Sequence, residues 1–186
     1  MTGEAELIGG IEKRDIRLVP HDSVWFSHFG RERDRIALAL GGFARRIDHI
    51  GSTSVAGLAA KPIIDINVSV VEPEDEDTYL PQLEAVEYVL RVREFGHRMF
   101  RTPDLGVHVH VCKAGSDWER RHLLFRDWLR RSDSDRDLYG SVKHDLASRD
   151  WSDMNAYAAA KTDVIAAIMP RAEAWARTIG WSVAGS

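Results

Sequence analysis

The stretch IIDINVSVV, residues 63–71, constrains the fold of this chain more than any other segment. Six of its nine residues are Ile or Val, which is typical of a central strand covered on both faces of a sheet. Pro62 stands directly before it and excludes a helix that continues through this point. The chain must therefore place other elements on both sides of a sheet that contains this strand.

Hydrophobic periodicity predicts further strands and helices around this central strand. Additional strands are predicted at residues 16–19, 44–50, 88–92 and 107–111. Helices are predicted at about residues 22–40, 52–60, 79–89, 117–131, 134–148 and 153–177. Together these elements predict an α+β fold, in which a mixed sheet of four to five strands is flanked by helices and followed by a helical C-terminal third.

Length, charge and cysteine content exclude several classes of protein. The 186 residues are enough for one domain, which we assign to residues 16–180, after a segment 1–15 that we expect to be flexible. The net charge of -4 gives no reason to expect a nucleic-acid partner. The single cysteine, Cys112, excludes a cysteine-based zinc cluster and favours a cytoplasmic protein. The N-terminus has no long apolar run, so we predict neither a signal peptide nor a membrane anchor.

The segment GSTS, residues 51–54, comes between two predicted strands and has the composition of an anion-binding turn. Gly51 allows backbone N–H groups to approach an anion closely, and Ser52 and Thr53 add hydroxyl groups. Asp65, on the strand that follows, could bind a divalent cation that bridges phosphate oxygens. The alternative is that Gly51 only turns the chain and that Asp65 only pairs with a neighbouring side chain.

This turn is not a P-loop, although it combines glycine, hydroxyl residues and a lysine. A P-loop needs a second glycine where this chain has Ala56, and its lysine must be followed by Ser or Thr. Here the lysine comes only at Lys61 and is followed by Pro62. The phosphate chemistry must therefore use another arrangement.

The sequence IDHIGSTSVAGLAAKPIIDI, residues 47–66, resembles the signature of the GrpB family. Four further segments agree with it, IRLVPHDSVW, VHVHV, RRHLLFRDWLR and YAAAKTDVI, so the resemblance covers about residues 16–170. GrpB proteins are bacterial proteins predicted to be nucleotidyltransferases, and in some of them the domain is fused to dephospho-CoA kinase. The resemblance implies that this chain transfers a nucleotidyl group from a nucleoside triphosphate to a small acceptor.

The resemblance also implies roles for individual residues. Asp65 would carry Mg²⁺ or Mn²⁺, and Asn67 stands where the superfamily has a second acid. Because Asn67 brings no charge, metal affinity should be weaker, and the strand lacks the second carboxylate that a two-metal mechanism normally uses. The residues expected to bind phosphate or nucleotide are Gly51, Ser52, Thr53, Lys61, Arg121, Arg126, Tyr157 and Lys161.

For Arg121 and Arg126 the expectation comes from their position in a predicted helix and not from the resemblance. Arg121 and Arg126 lie in the predicted helix 117–131, where arginines can clamp a phosphate through two hydrogen bonds. The alternative is that they are solvated surface residues.

His108 and His110 lie two residues apart in a predicted strand and so share one face. On a strand beside Asp65 they could replace the missing acids as metal ligands. A site of one carboxylate and two imidazoles favours Zn²⁺ or Mn²⁺ over Mg²⁺. The alternative is that both are sheet residues whose imidazoles are hydrogen-bonded.

Three functional hypotheses follow from these residues. The first is a metal-dependent nucleotidyltransferase whose partners are a nucleotide and a small-molecule acceptor, with neither nucleic acid nor membrane involved. The second is a binding module that has lost the second acid and only binds a nucleotide or another phosphate compound. The third is a metal-dependent hydrolase built on Asp65, His108 and His110.

Overall fold

The computed structural model of the chain describes residues 5–185 apart from Glu12 and Arg14. These residues form one mixed sheet with the strand order β1-β4-β5-β6-β3-β2. The strands are β1 Glu6–Leu7, β2 Arg46–Ile50, β3 Ile64–Val70, β4 Val89–Glu94, β5 His97–Arg101 and β6 Val107–Lys113. β3 and β6 are parallel, and the other pairs are antiparallel.

The helices are α1 Val24–Leu40, α2 Leu80–Ala85, α3 Asp117–Arg131, α4 Asp133–Ala147, α5 Met154–Ala159 and α6 Thr162–Ile179. Helices α1 and α2 cover one face of the sheet, and the four C-terminal helices form the predicted helical region. The α+β architecture with flanking helices and a helical C-terminal third is therefore confirmed. None of the helices in the described residues combines the length and the hydrophobicity of a membrane-spanning segment.

β3 is the strand on which the prediction of a covered sheet depended, and it lies between β2 and β6. Ile64, Ile66, Val68 and Val70 are all buried and belong to the main hydrophobic core with residues of α1 and α2. Burying such branched aliphatic side chains stabilises the fold by about 1.5–3 kcal/mol each. Asp65 lies on the opposite face, where the sheet opens into a cleft.

Several predicted elements differ from the structure. The run 16–19 is not a strand: among these residues only Val19 pairs, in an isolated bridge with Ala60. The expected helix at 52–60 is a single 3₁₀ turn, Ser52–Ser54, so no helix dipole is available there to bind an anion. The predicted helix 153–177 is two helices, α5 and α6, separated at residues 160 and 161.

The sheet has six strands, more than predicted. β5 was not predicted, and it forms a hairpin with β4 that turns through Gly96 at a φ of +76°. Glu6–Leu7, expected to be flexible, pairs with β4 as an edge strand. The rest of the predicted flexible segment falls partly on residues 1–4, 12 and 14, which lie outside the described residues.

Candidate functional site

The turn at Gly51 and the carboxylate of Asp65 face each other across neighbouring strands. Ile50, the last residue of β2, pairs with Asp65 of β3, so the turn that follows β2 lies over this carboxylate. Gly51 has a φ of +69°, and a Cβ atom at this position would lie 2.4 Å from Asp65 Oδ2. Only glycine allows this approach, because any side chain would overlap the carboxylate.

Asp65, His108 and His110 form a cluster of potential metal ligands. The parallel pairing of β3 with β6 places Asp65 directly opposite His108 and Asn67 opposite His110. His108 Nδ1 lies 3.4 Å from Asp65 Oδ1, and His110 Nε2 lies 3.6 Å from the same oxygen. One ligand atom from each residue lies within 4.8 Å of the others.

The chemistry of this cluster fits a divalent transition metal. Burial opposes ionisation of Asp65, but hydrogen bonds and charge from His108 and His110 outweigh it and lower the pKa of the carboxyl group. The carboxylate is therefore ionised at neutral pH, and two imidazoles lie beside it. One oxygen and two nitrogen ligands suit Mn²⁺ or Zn²⁺ better than Mg²⁺, which prefers oxygen ligands.

A second layer of aromatic side chains lies behind His110. His97 of β5 is buried, and its Nε2 lies 3.0 Å from His110 Nδ1. The His97 ring stacks on Trp118 with centroids 4.8 Å apart, and Trp118 stacks on His122 at 3.7 Å. The position of Trp118 beside the histidine cluster was not predicted from the sequence.

Asn67 does not reach this cluster, although it shares the sheet face. Its side chain is fully buried, with Nδ2 donating to Ser69 Oγ at 2.9 Å and Oδ1 accepting from Cys112 Sγ at 3.0 Å. Ser69 Oγ in turn donates to Glu119. Both polar atoms of Asn67 are therefore engaged within the protein interior under α3, away from Asp65.

Three lysines surround the cleft on the side of the Gly51 turn. Lys61 and Lys161 lie on the ring of Tyr157, with Nζ atoms 5.2 and 4.8 Å from its centroid. Lys143 of α4 is almost fully buried and donates to Ser52 Oγ at 2.8 Å and to the Ala59 carbonyl at 2.6 Å. Such a concentration of cations in a cleft is suited to a phosphate anion.

Burial, together with the charge of neighbouring lysines, lowers the pKa of Lys143 and Lys161. Burial, and then the charges of Lys161 and Lys61, lower the pKa of Lys143 to about 7. Burial and Lys61 lower the pKa of Lys161 to about 8. A bound anion would favour the charged form of both amines, so Lys143 and Lys161 would be more fully protonated with an anion bound than in the free protein.

The side chains of two predicted phosphate-binding residues are already engaged by other groups of the protein. The Thr53 hydroxyl donates to the Ile63 carbonyl at 3.1 Å and accepts from the buried His49 ring at 3.0 Å. Arg126 is buried and donates to Asp127 and to the His49 carbonyl, with Asp48 3.6 Å away. These groups hold β2 and its turn in place.

The structure brings Ser52, Lys61, Tyr157 and Lys161 together along one cleft but leaves Arg121 outside it. Arg121 is exposed on α3 and does not line the cleft. The most informative residue that was not predicted is Lys143. Its position in α4 among Tyr139, Val142 and Leu146 places a lysine on an apolar helix face, a signal that the sequence contains.

The cleft has a volume of about 960 Å³ and extends well beyond the metal-ligand cluster. Cross-strand pairing runs from His110 through Met99 and Val92 to Leu7 at the sheet edge. Residues paired in this way lie on the same face of the sheet, so the floor of the cleft continues from His110 to these apolar side chains. Asp65 therefore lies between two halves of the cleft. One is the lysine half; the other has an apolar floor that Arg91 and Arg101 also line, and we call it the apolar half.

Comparisons with known proteins agree with this architecture. The family model described as "GrpB protein" matches residues 15–171. A UPF0157 protein of Streptomyces coelicolor is 51% identical over 169 residues, covering 91% of this chain and 90% of that protein. A dephospho-CoA kinase of Mycolicibacterium paratuberculosis is 31% identical over 201 residues, covering 92% of this chain and 49% of the kinase.

A solved structure extends the agreement to three dimensions. The crystal structure of the conserved protein GrpB from Enterococcus faecalis superimposes with a TM-score of 0.67 at 28% sequence identity. The match covers 82% of this chain and 99% of the Enterococcus chain.

Proposed function

The chain belongs to the GrpB family, and from this premise we propose that it is a metal-dependent nucleotidyltransferase acting on a nucleoside triphosphate and a small acceptor. The observation that carries the proposal is the position of Asp65, with its two histidines, between the lysine half and the apolar half of one cleft. A triphosphate needs cations along its length and a metal at the reacting phosphorus. The cleft has lysines and potential metal ligands within one space, which supports the proposal.

The lysine half is suited to the phosphates that leave. Lys61, Lys143 and Lys161 would neutralise the β- and γ-phosphates, and the Ser52 hydroxyl and the backbone of the Gly51 turn would orient them. These fixed cations would also offset the charge that develops on pyrophosphate as the bond to the α-phosphorus breaks. Lys143 and Ser52 are already held together by a hydrogen bond, which reduces the cost of ordering them.

Asp65, His108 and His110 would hold a single divalent cation. When bound there, the cation would supply Lewis-acid stabilisation of negative charge on the phosphate oxygens. Asp65 would bring the only carboxylate of the described cluster, because Asn67 is engaged with Ser69 and Cys112. We therefore propose a one-metal site. The lysines would neutralise the phosphate charge that a second metal ion neutralises in two-metal sites.

The apolar half of the cleft would receive the remaining parts of the reactants. Met99, Val92 and Leu7 provide surface for a nucleobase or for the body of the acceptor. The dephospho-CoA kinases among the relatives carry a matching region that spans about half of their length. Their name is consistent with a nucleotide-related function for this domain.

A second candidate is hydrolysis, with water as the acceptor. It is favoured by the ligand set, because two histidines and one carboxylate suit a metal that activates water at neutral pH. The two reactions differ in their products. Hydrolysis yields free nucleotide, because water takes the nucleotidyl group, whereas transfer leaves this group on the small acceptor.

The test uses nucleoside triphosphates labelled at the α-phosphate, with Mg²⁺, Mn²⁺ or Zn²⁺ and a mixture of small-molecule acceptors. We expect metal-dependent pyrophosphate release and appearance of the label in an acceptor, both lost in Asp65→Asn. Asp163→Asn, an exposed carboxylate on α6, is the matched control and should retain full activity. Label only in free nucleotide would support the hydrolase instead. Tight binding without turnover in any metal would support a binding module.

A further inference from the structure

His97 contacts a ligand of the candidate metal cluster and has no role in the function proposed above. Its ring is buried, and its Nε2 lies 3.0 Å from His110 Nδ1, at hydrogen-bond distance. The opposite nitrogen of the His110 ring, Nε2, faces Asp65. One ring nitrogen of His110 is therefore committed to His97, and the other faces the place where a cation would bind.

The hydrogen bond between the two rings connects their protonation sites. A histidine that binds a cation through Nε2 must carry its proton on Nδ1. For His110, that proton would be donated to His97 Nε2, so His97 must in turn carry its own proton on Nδ1. The form of His110 that binds a metal thus requires one particular form of His97.

Glu94 favours this form of His97. Its Oε1 lies 3.6 Å from His97 Nδ1, which has no hydrogen-bond partner among the described residues. A carboxylate beside this buried nitrogen favours an N–H group there and disfavours a lone pair. The order of groups is therefore Glu94, His97, His110 and then the cation, with each group orienting the next.

Trp118 holds the His97 ring in the required plane. The two rings are stacked with an interplanar angle of 22°, and Trp118 also contacts the His110 ring at a centroid distance of 5.5 Å. Trp118 is fixed at the start of α3, whose first turn is capped by Ser116. Rotation of His97 away from His110 would break this stack.

From these contacts we propose that His97 is a positioning residue, which with Glu94 and Trp118 makes His110 present its Nε2 lone pair to a divalent cation. The inference rests on the proposed function, because it assumes the cation site at Asp65, His108 and His110. His97 is not one of the three potential ligands and would act through His110. Outer-layer partners of this kind contribute about 10- to 100-fold to metal affinity.

The first measurement is metal affinity, determined by calorimetric titration of metal-free protein with Mn²⁺ and with Zn²⁺. His97→Phe keeps a ring that can stack on Trp118 but cannot accept the hydrogen bond from His110, and we expect the dissociation constant for the metal to rise about 10- to 100-fold. His97→Gln places an amide oxygen near the position of Nε2 and should restore most of the affinity. His144→Phe, on the exposed face of α4, is the matched control and should bind as the wild type does.

The second measurement is nitrogen-15 NMR of the imidazole groups in the Zn²⁺ complex, which reports each ring's protonation site. We expect protons on Nδ1 of both His110 and His97, and a change at His97 in Glu94→Gln but not in Glu72→Gln, another exposed acid. Wild-type affinity in His97→Phe, or a proton on Nε2 of His97, would overturn the role of His97 and leave the proposed function intact. Wild-type protein that binds neither ion would overturn the metal site and both proposals together.

Discussion

A methyl group on Gly51 would lie 2.4 Å from Asp65 Oδ2 and 2.9 Å from Asp65 Cβ. The Gly51 turn and strand β3 can approach this closely only because Gly51 has no side chain. The position of the Asp65 carboxylate therefore depends on glycine at residue 51. Gly51 also has a φ of +69° and a ψ of -174°, a backbone conformation that is essentially restricted to glycine. The residue is therefore required both for the turn and for the ligand.

Gly51→Ala should lose stability and metal affinity together. We expect the free energy of unfolding to fall by about 1–3 kcal/mol because of the backbone strain, and Mn²⁺ binding to weaken because the new methyl group displaces Asp65. Gly57→Ala is the control, since Gly57 also has a positive φ but a Cβ there would meet only Arg136, at 3.7 Å. Thermal unfolding and calorimetry should show a stability loss in both variants and an affinity loss only in Gly51→Ala. Equal metal affinity in the two variants would contradict the role of the turn.

The lysine half of the cleft should make anion binding dependent on pH. The pKa of Lys143 is lowered to about 7 by burial and by Lys161 and Lys61, and that of Lys161 to about 8 by burial and Lys61. Above these values the free protein has neutral amines, which must take up protons when an anion binds. Affinity for pyrophosphate should therefore fall between pH 7.5 and 9, by up to about tenfold per pH unit for each lysine involved.

Calorimetry in two buffers of different ionisation enthalpy measures this proton uptake directly. Lys143→Met should bind pyrophosphate more weakly at pH 7.5 and with a shallower dependence on pH, because one titrating amine has been removed. Lys113→Met is the control, since Lys113 is exposed at the end of β6 and pairs with Glu72. Pyrophosphate binding with no proton uptake in the wild type would exclude both lysines as ligands.

The sequence predicted the parts of the site that are local, and missed the parts that depend on contacts between distant segments. His108 and His110 were predicted together because strand alternation places them on one face, and Asp65 was predicted from the strand that follows the Gly51 turn. Lys143 was missed because it lies 91 residues from Ser52, and only the packing of α4 against the turn brings them together. For Asn67 the local prediction was correct but incomplete. Alternation places it on the same sheet face as Asp65, but α3 packs over this face at Asn67 and separates its side chain from the cleft.

The same reasoning explains the errors in the fold. β5 has only five residues and includes two arginines and a histidine, so its pattern alone does not indicate a strand, and its pairing with β6 defines it. The separation of α5 from α6 falls in the segment AAAK, which contains neither glycine nor proline. Good helix formers on both sides of residues 160 and 161 therefore predicted one continuous helix.

Restoring an acid at position 67 should not create a second metal site. In Asn67→Asp a carboxylate would replace an amide that donates to Ser69 Oγ, next to the buried Glu119 that this hydroxyl already contacts. The cost of an uncompensated buried charge is about 3–5 kcal/mol. Because burial beside Glu119 would raise the pKa of the new acid, the loss of stability should grow as pH rises above about 4.

Asn155→Asp provides the same chemical change at an exposed position of α5 and should leave stability nearly unchanged. Urea unfolding of both variants at pH 4 and pH 7 measures the difference. A stable Asn67→Asp protein that binds two Mn²⁺ ions would show that position 67 is available to a metal, contrary to its burial in this structure.

Substitution of Tyr157 should test whether the lysine half of the cleft binds a triphosphate. The residue is almost fully buried and lines the cleft between Lys61 and Lys161, and its hydroxyl has no hydrogen-bond partner in the described part of the chain. Burial raises the pKa of Tyr157, so the hydroxyl remains a donor at neutral pH. Because an unpaired buried hydroxyl contributes nothing to folding, Tyr157→Phe should leave the free energy of unfolding unchanged or slightly increased.

The same variant should bind a nonhydrolysable nucleoside triphosphate about 3- to 10-fold more weakly, which corresponds to one lost hydrogen bond of about 1 kcal/mol. Tyr88→Phe is the opposite control: its hydroxyl donates to Glu32, remote from the cleft, so this variant should lose stability and keep its affinity. Thermal unfolding and calorimetric titration of the two variants separate these effects. Unchanged triphosphate affinity in Tyr157→Phe would place the phosphates away from this tyrosine and weaken the assignment of Lys61 and Lys161 as their ligands.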